Sequence, residues 1–255
     1  MRTIATSIST FLLLVPVATC LRFALPPLNR STHKILTFSR KTSTNAIHEA
    51  CMRLALDQAR LAYEANEVPI GAIIVTEEAE KKDYSKKANA QSSSSRGDRA
   101  FHVIASSHNL VETRYDASAH AELLALRSAA AYTQNWRLYN STLYSTLEPC
   151  PMCLAAAQAF RVDTVVYGAQ DLRLGAVETH LKLLEVAEHP YHSCMKTIGG
   201  VLAKDSAELM RDFFRERRKQ SKAKMATIGL SDDVDGKRAR LRRSLRKLFS
   251  LRSQR

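Results

Sequence analysis

The sequence predicts an α/β protein, a small sheet covered by helices, on three observations. Two apolar, β-branched runs, PIGAIIV (69–75) and FHVIASS (101–107), read as paired strands. TLYSTLE (142–148) and DTVVYGA (163–169) flank a helical CLAAAQAF, and strand, helix, strand in short succession implies a parallel pair joined by a crossover helix. Around them lie long stretches with apolar residues at helical spacing.

The first such stretch, IHEACMRLALDQARLAYEAN (47–66), places charges between its apolar positions, so one face can pack on a sheet; Pro69 stops the pattern. The strands at 69–75 and 101–107 are separated by EEAEKKDYSKKANAQSSSSRGDR, too polar and Ser-rich to bury the apolar surface that would order it. That segment, about 77–100, is expected to be a disordered insertion in a hairpin. AHAELLALRSAAAY (119–132) predicts a helix rich in Ala and Leu, and AKDSAELMRDFFRERRKQ (203–220) a further amphipathic helix that grows basic toward its end.

Net charge is +13, but its position matters more than its size. Residues 1–48 carry +6 with no acidic residue, 211–255 carry +11, and 49–210 between them carry −4. The core is mildly acidic, and the positive charge sits at its two ends. In the front segment Arg2 precedes the apolar run FLLLVPVA and the small-residue stretch ATC, a secretory-type signal pattern too short to span a bilayer comfortably. Residues 21–48 then have the Ser, Thr, Arg and Lys content and the lack of acids of an organelle transit peptide. The expected organisation is a targeting presequence at 1–48, a globular domain at 49–220 and a basic tail at 221–255, with a plastid destination favoured over a mitochondrion and both over simple secretion. Five cysteines in a chain of this length do not make a disulfide framework.

Two of those cysteines carry the chemistry. In TLEPCPMC (146–153), Cys150 and Cys153 could form a redox disulfide, half of a structural zinc site or part of a catalytic metal site. A zinc ribbon would need a second closely spaced pair, and the chain has none. Upstream, His120-Ala121-Glu122 completes an H-x-E…P-C-x-x-C pattern, the signature of zinc deaminases. One His and two thiolates supply three ligands and leave a fourth position for water. Both cysteines fall at the start of a predicted helix, where unsatisfied amides and the helix dipole favour thiolate. His120 and Glu122 are two positions apart and leave their helix in different directions, so one can bind metal while the other moves protons.

The stretches EVPIGAIIV (67–75), DASAHAELLALR (116–127), NWRLYNSTLYSTLEPCPMC (135–153), VVYGAQDLRLGA (165–176) and GGVLAKDSAELMRDFFRERR (199–218), with Asn109 and His189-Pro190, closely resemble the bacterial-type tRNA adenosine deaminases of the cytidine deaminase superfamily. The resemblance covers roughly 49–220. It implies a three-layer α/β/α sandwich with a central mixed sheet, one Zn2+ per subunit and a homodimer. It also implies hydrolytic deamination of adenosine to inosine at the wobble position of a tRNA anticodon, with the organellar arginine tRNA of anticodon ACG the expected substrate. Carried over residue by residue, it makes His120, Cys150 and Cys153 the zinc ligands and Glu122 the proton shuttle. Asn109 would hydrogen-bond the flipped base, the main chain of Ala121 would read its edge, and Val68 and Pro149 would wall the pocket. The insertion and the tail have no counterpart in the family pattern.

An acidic core that binds an anionic anticodon stem-loop needs positive charge, and Arg211, Arg215, Arg217, Arg218 and Lys219 can supply it. For KRARLRRSLRKLFSLRSQR (237–255) three readings compete: an auxiliary RNA-binding helix, an interfacial membrane helix, and a solvated tail, the last carrying most weight. Two alternatives to the tRNA reading stand beside it, a zinc deaminase acting on cytosine or a free base, and a non-catalytic RNA-binding subunit of the same fold. The intact Glu122 argues against the second.

Overall fold

A computed structural model describes residues 34–77, 98–186, 192 and 194–227. The elements are β1 (Lys34–Ser39), α1 (Thr44–Glu64), β2 (Gly71–Glu77), β3 (Asp98–His108), α2 (Val111–Arg114), α3 (Ala121–Thr133), β4 (Ser141–Leu147), α4 (Pro151–Ala159), β5 (Thr164–Ala169), α5 (Leu183–Val186), β6 (Lys196–Ile198) and α6 (Ala203–Thr227).

The strands form one sheet in the order β1-β3-β2-β4-β5-β6. Pairing is antiparallel from β1 through β4 and parallel from β4 to β6, so the sheet is mixed and the crossover helix between β4 and β5 is α4. α1 and α6 cover one face and α3 and α4 the other, giving the expected three layers.

Sequence periodicity explains each layer. α1 buries Ile47, Cys51, Met52, Ala55, Leu56, Ala59 and Ala62 along one stripe, and Ser43 caps its start by accepting from the Ala46 amide. A side chain at Gly71 would collide with the α1 backbone at Ala55, so glycine permits the close contact between α1 and β2. On the other face Ala121, Ala125, Leu126 and Ala129 of α3 pack with Leu154 and Ala157 of α4 over β2 to β5. Leu126 is fully buried, and its truncation to Ala would cost about 2–5 kcal/mol.

Several boundaries differ from the sequence reading. β2 begins at Gly71, because Pro69 cannot donate to a ladder and the Ile70 amide turns back to the Val68 carbonyl at 2.7 Å. β3 starts at Asp98, so the hairpin insertion narrows to 78–97, which lies outside the described residues. A register shift between Ile74 and Val75 lets the longer β3 follow β2. α6 runs to Thr227, past the expected end of the domain at 220. At the front, the expected boundary at 48 falls inside α1, and β1 arises from the segment whose composition suggests a leader. The FLLLVPVA run and the 237–255 tail lie outside the described residues. Among the described residues no helix is long and apolar enough to cross a membrane.

Candidate active site and metal centre

The site forms where α3 and α4 begin. His120 is the N-cap of α3, with φ −70° and ψ 146°, and Cys150 is the N-cap of α4, with Pro151 at the first helical position. Two helix N-termini thus aim unpaired amides at one place, which favours negative charge there. Cys153 stands one turn along from Cys150 on the same face.

His120 Nδ1 lies 3.7 Å from Cys150 Sγ and 3.5 Å from Cys153 Sγ, and all three donor atoms fall within 4.8 Å of one another. Tetrahedral zinc with ordinary Zn–N and Zn–S bond lengths would hold such a nitrogen and sulfur about 3.6 Å apart, so the donor set fits that ion. The hydrogen bond from Cys153 draws Cys150 down to about 4, while the same bond, aided by burial, pushes Cys153 up.

Glu122 is 3 % exposed, and burial raises its carboxyl above the usual range. One oxygen accepts from Ser145 Oγ on β4 at 3.3 Å; the other has no hydrogen-bond partner among the described residues. A buried carboxylate oxygen left unpaired is costly, and such groups mark sites of chemistry.

Val68, Asn109, His120, Glu122 and Cys150 all line one cavity of about 230 Å³. Ala121, Pro149 and Cys153 are buried beside it without contributing to its walls. α6 contributes Met210 and Phe214 to the same cavity. The five basic residues Arg211, Arg215, Arg217, Arg218 and Lys219 are all exposed on α6. Arg215 pairs with Asp212 at 2.6 Å, Lys219 with Glu216 at 3.6 Å, and Arg217 lies over the Phe213 ring.

Two buried acids organise the cavity, and sequence reasoning passed over both. Glu67 accepts from Asn109 Nδ2 at 3.2 Å and from the amides of Glu112 at 3.2 Å and Thr113 at 2.6 Å. Burial pushes its carboxyl up, but these bonds outweigh that and hold it below the usual range. It therefore fixes both the amide of Asn109 and the loop leading to His120. Glu148 accepts from the amides of Asp171, Val177, Glu178 and Thr179 and from Thr179 Oγ1, and is likewise lowered against the opposing effect of burial. It ties the 171–179 loop, which carries the cavity residues Arg173 and Leu174, to the Cys150 segment. A side chain at Gly175 would collide with this carboxylate. The signal for both was an acid set against an apolar run, Glu67 before Val68-Pro69 and Glu148 after β4.

Residues 45–169 match the family described as "Cytidine and deoxycytidylate deaminase zinc-binding region". The chain is 37% identical over 175 residues to the tRNA-specific adenosine deaminase of Bacillus subtilis (strain 168), covering 69% of this chain and 93% of that one. It is 35% identical over 185 residues to the Arabidopsis thaliana protein named "tRNA(adenine(34)) deaminase, chloroplastic", covering 67% of this chain and 12% of that much longer one. A solved structure from a study of A-to-I editing by tRNA:A34 deaminases at the wobble position is 35% identical with a TM-score of 0.50, covering 63% of this chain and 98% of that one. With the His/Cys/Cys cluster, the buried glutamate and the mixed sheet in place, these similarities establish that the chain belongs to the tRNA-specific adenosine deaminase family.

Proposed function

We propose that the protein converts adenosine to inosine at the wobble position of tRNA, consuming water and releasing ammonia, and that its substrate is the organellar arginine tRNA with anticodon ACG. The observation that carries this reading is Glu122, a buried carboxylate with one unpaired oxygen beside the clustered donor atoms of His120, Cys150 and Cys153. Those three residues would hold zinc, which would supply a water activated at neutral pH.

The chain's own groups do the rest. Glu122 takes a proton from the attacking water and delivers it to the leaving amine, a role suited to a carboxyl whose proton affinity burial has raised. Ser145 holds one carboxylate oxygen, leaving the other for proton transfer. Asn109, with one amide hydrogen committed to Glu67, offers its remaining amide atoms to the flipped base, and Ala121 its main chain. Val68 lines the wall, and Pro149 is buried behind it.

On α6, Met210 and Phe214 face the cavity, and Arg211, Arg215 and Arg218 occupy the adjoining stripe at helical spacing. Their charges suit the phosphates of an anticodon stem-loop. Met152, Ala155 and Ala159 make an outward apolar stripe on α4, which supports a homodimer. A plastid location is supported by the composition of 1–48 and by the plant relative whose name places it in the chloroplast.

The test is inosine formation in a wobble-A arginine tRNA incubated with the full chain, read by nuclease digestion and mass spectrometry beside Glu122→Ala. Inosine at the wobble position with the wild type and none with the variant is the expected result. A folded, zinc-loaded protein that makes no inosine would overturn the reading, and uridine formed from cytosine would replace it with a cytosine deaminase.

A further inference from the structure

We propose that Lys34–Ser39 stays with the working enzyme as a structural strand, and that any N-terminal processing of this chain stops upstream of Lys34. The family match begins at residue 45 and the composition of 1–48 suggests a leader, yet the geometry joins the end of that segment to the fold.

Every residue of β1 is paired in continuous antiparallel register with β3, from Lys34 opposite Val103 to Ser39 opposite Asp98. Alternate side chains behave as the pleat requires. Leu36 and Phe38 pack against the α1-side core, with the Phe38 ring edge-on to Phe101 at 5.7 Å, while Ile35 is 61% exposed. A transit segment read for its composition alone has no reason to show this alternation.

The chain then turns directly into α1. The Thr42 amide bonds the Ser39 carbonyl, Ser43 caps the helix, Ile47 is 2% exposed, and His48 Nδ1 meets Tyr144 OH at 2.9 Å. Cleavage at 48 would remove the cap, a core isoleucine and the Tyr144 partner together. Cleavage between 39 and 43 would spare those but bare the edge of β3 over Asp98–Val103, a row of unpaired amides and carbonyls open to other chains.

Two measurements test this on the full chain. After uptake by isolated plastids and, separately, mitochondria, the N-terminal peptide of the recovered protein is identified by mass spectrometry. A terminus at or before Lys34 is expected; one within β1 or beyond Ser39 overturns the proposal. Recovery of uncleaved chain would leave β1 in place and count only against the leader reading. In the second measurement, Leu36→Asp with Phe38→Asp is compared with Ile35→Asp and Thr37→Asp by thermal melting. The inward pair should lower Tm by about 4–8 °C while the outward pair changes it by less than about 2 °C. Equal, small shifts in both would show that the strand does not belong to the folded enzyme.

Discussion

Glu67→Gln isolates the effect of the buried acid on the cavity. The change preserves shape and removes only charge and acceptor capacity. In the wild type one oxygen accepts from Thr113, and the other from both Asn109 and Glu112. A glutamine keeps two of these bonds if its carbonyl takes the second position, but its NH2 then faces the Thr113 amide, donor against donor. Losing one charge-assisted bond in a buried place costs about 1.5–3 kcal/mol, and the loop that positions Asn109 and leads to His120 bears that cost. If half or more of it appears in the transition state, kcat/KM on tRNA falls roughly 3–150-fold. The assay is steady-state deamination kinetics with zinc content and Tm measured on the same preparation. A variant with full zinc whose kcat/KM stays within twofold of wild type would refute the claim that Glu67 sets Asn109.

Three further outcomes follow from the structure. His120→Ala removes one of three clustered donors, so dialysed protein should hold well under one zinc per chain by atomic absorption, and a chelator should inactivate the wild type. Glu148 has a folded-state proton affinity below its unfolded value near 4.5, so its stabilisation is present above that pH and lost as pH falls through the lower folded value. Glu148→Gln should therefore melt lower at neutral pH and lose less stability on acidification, whereas parallel acid limbs in calorimetry would contradict this. Replacing Arg211, Arg215 and Arg218 by Ala should weaken tRNA binding and reduce its salt slope by about one per lost phosphate contact, leaving kcat at saturation near wild type; an unchanged slope would place the RNA elsewhere.

Much of the architecture was readable in advance, for identifiable reasons. α1 and α3 carry long apolar stripes at a period only a helix satisfies, and the β4-α4-β5 unit admits few topologies because parallel strands need a crossover. β6 was missed because Lys196–Ile198 is three residues long, too short for any period to register. β1 was missed because an edge strand with one half-buried face, KILTFS, has the same basic, Ser- and Thr-rich composition as a transit peptide. Local patterns report what a residue prefers, and an edge strand's pairing is decided by its neighbour.

The same division runs through the site. Residue types alone reveal the kinds of group present, since H-x-E and P-C-x-x-C name three soft or borderline ligands and a carboxylate, and chemistry follows from residue type. It takes the folded chain for β4 and α4 to carry the two thiols back to the start of α3, so that groups thirty residues apart lie within 4.8 Å. Folding also sets which acids are buried. Glu67 and Glu148 look like ordinary charged residues in the chain, and become organisers because the fold surrounds each with main-chain and side-chain donors that outweigh the cost of burying it. Hydrogen-bond partners for a buried charge come from distant segments, so its role follows from packing rather than from the residues on either side of it.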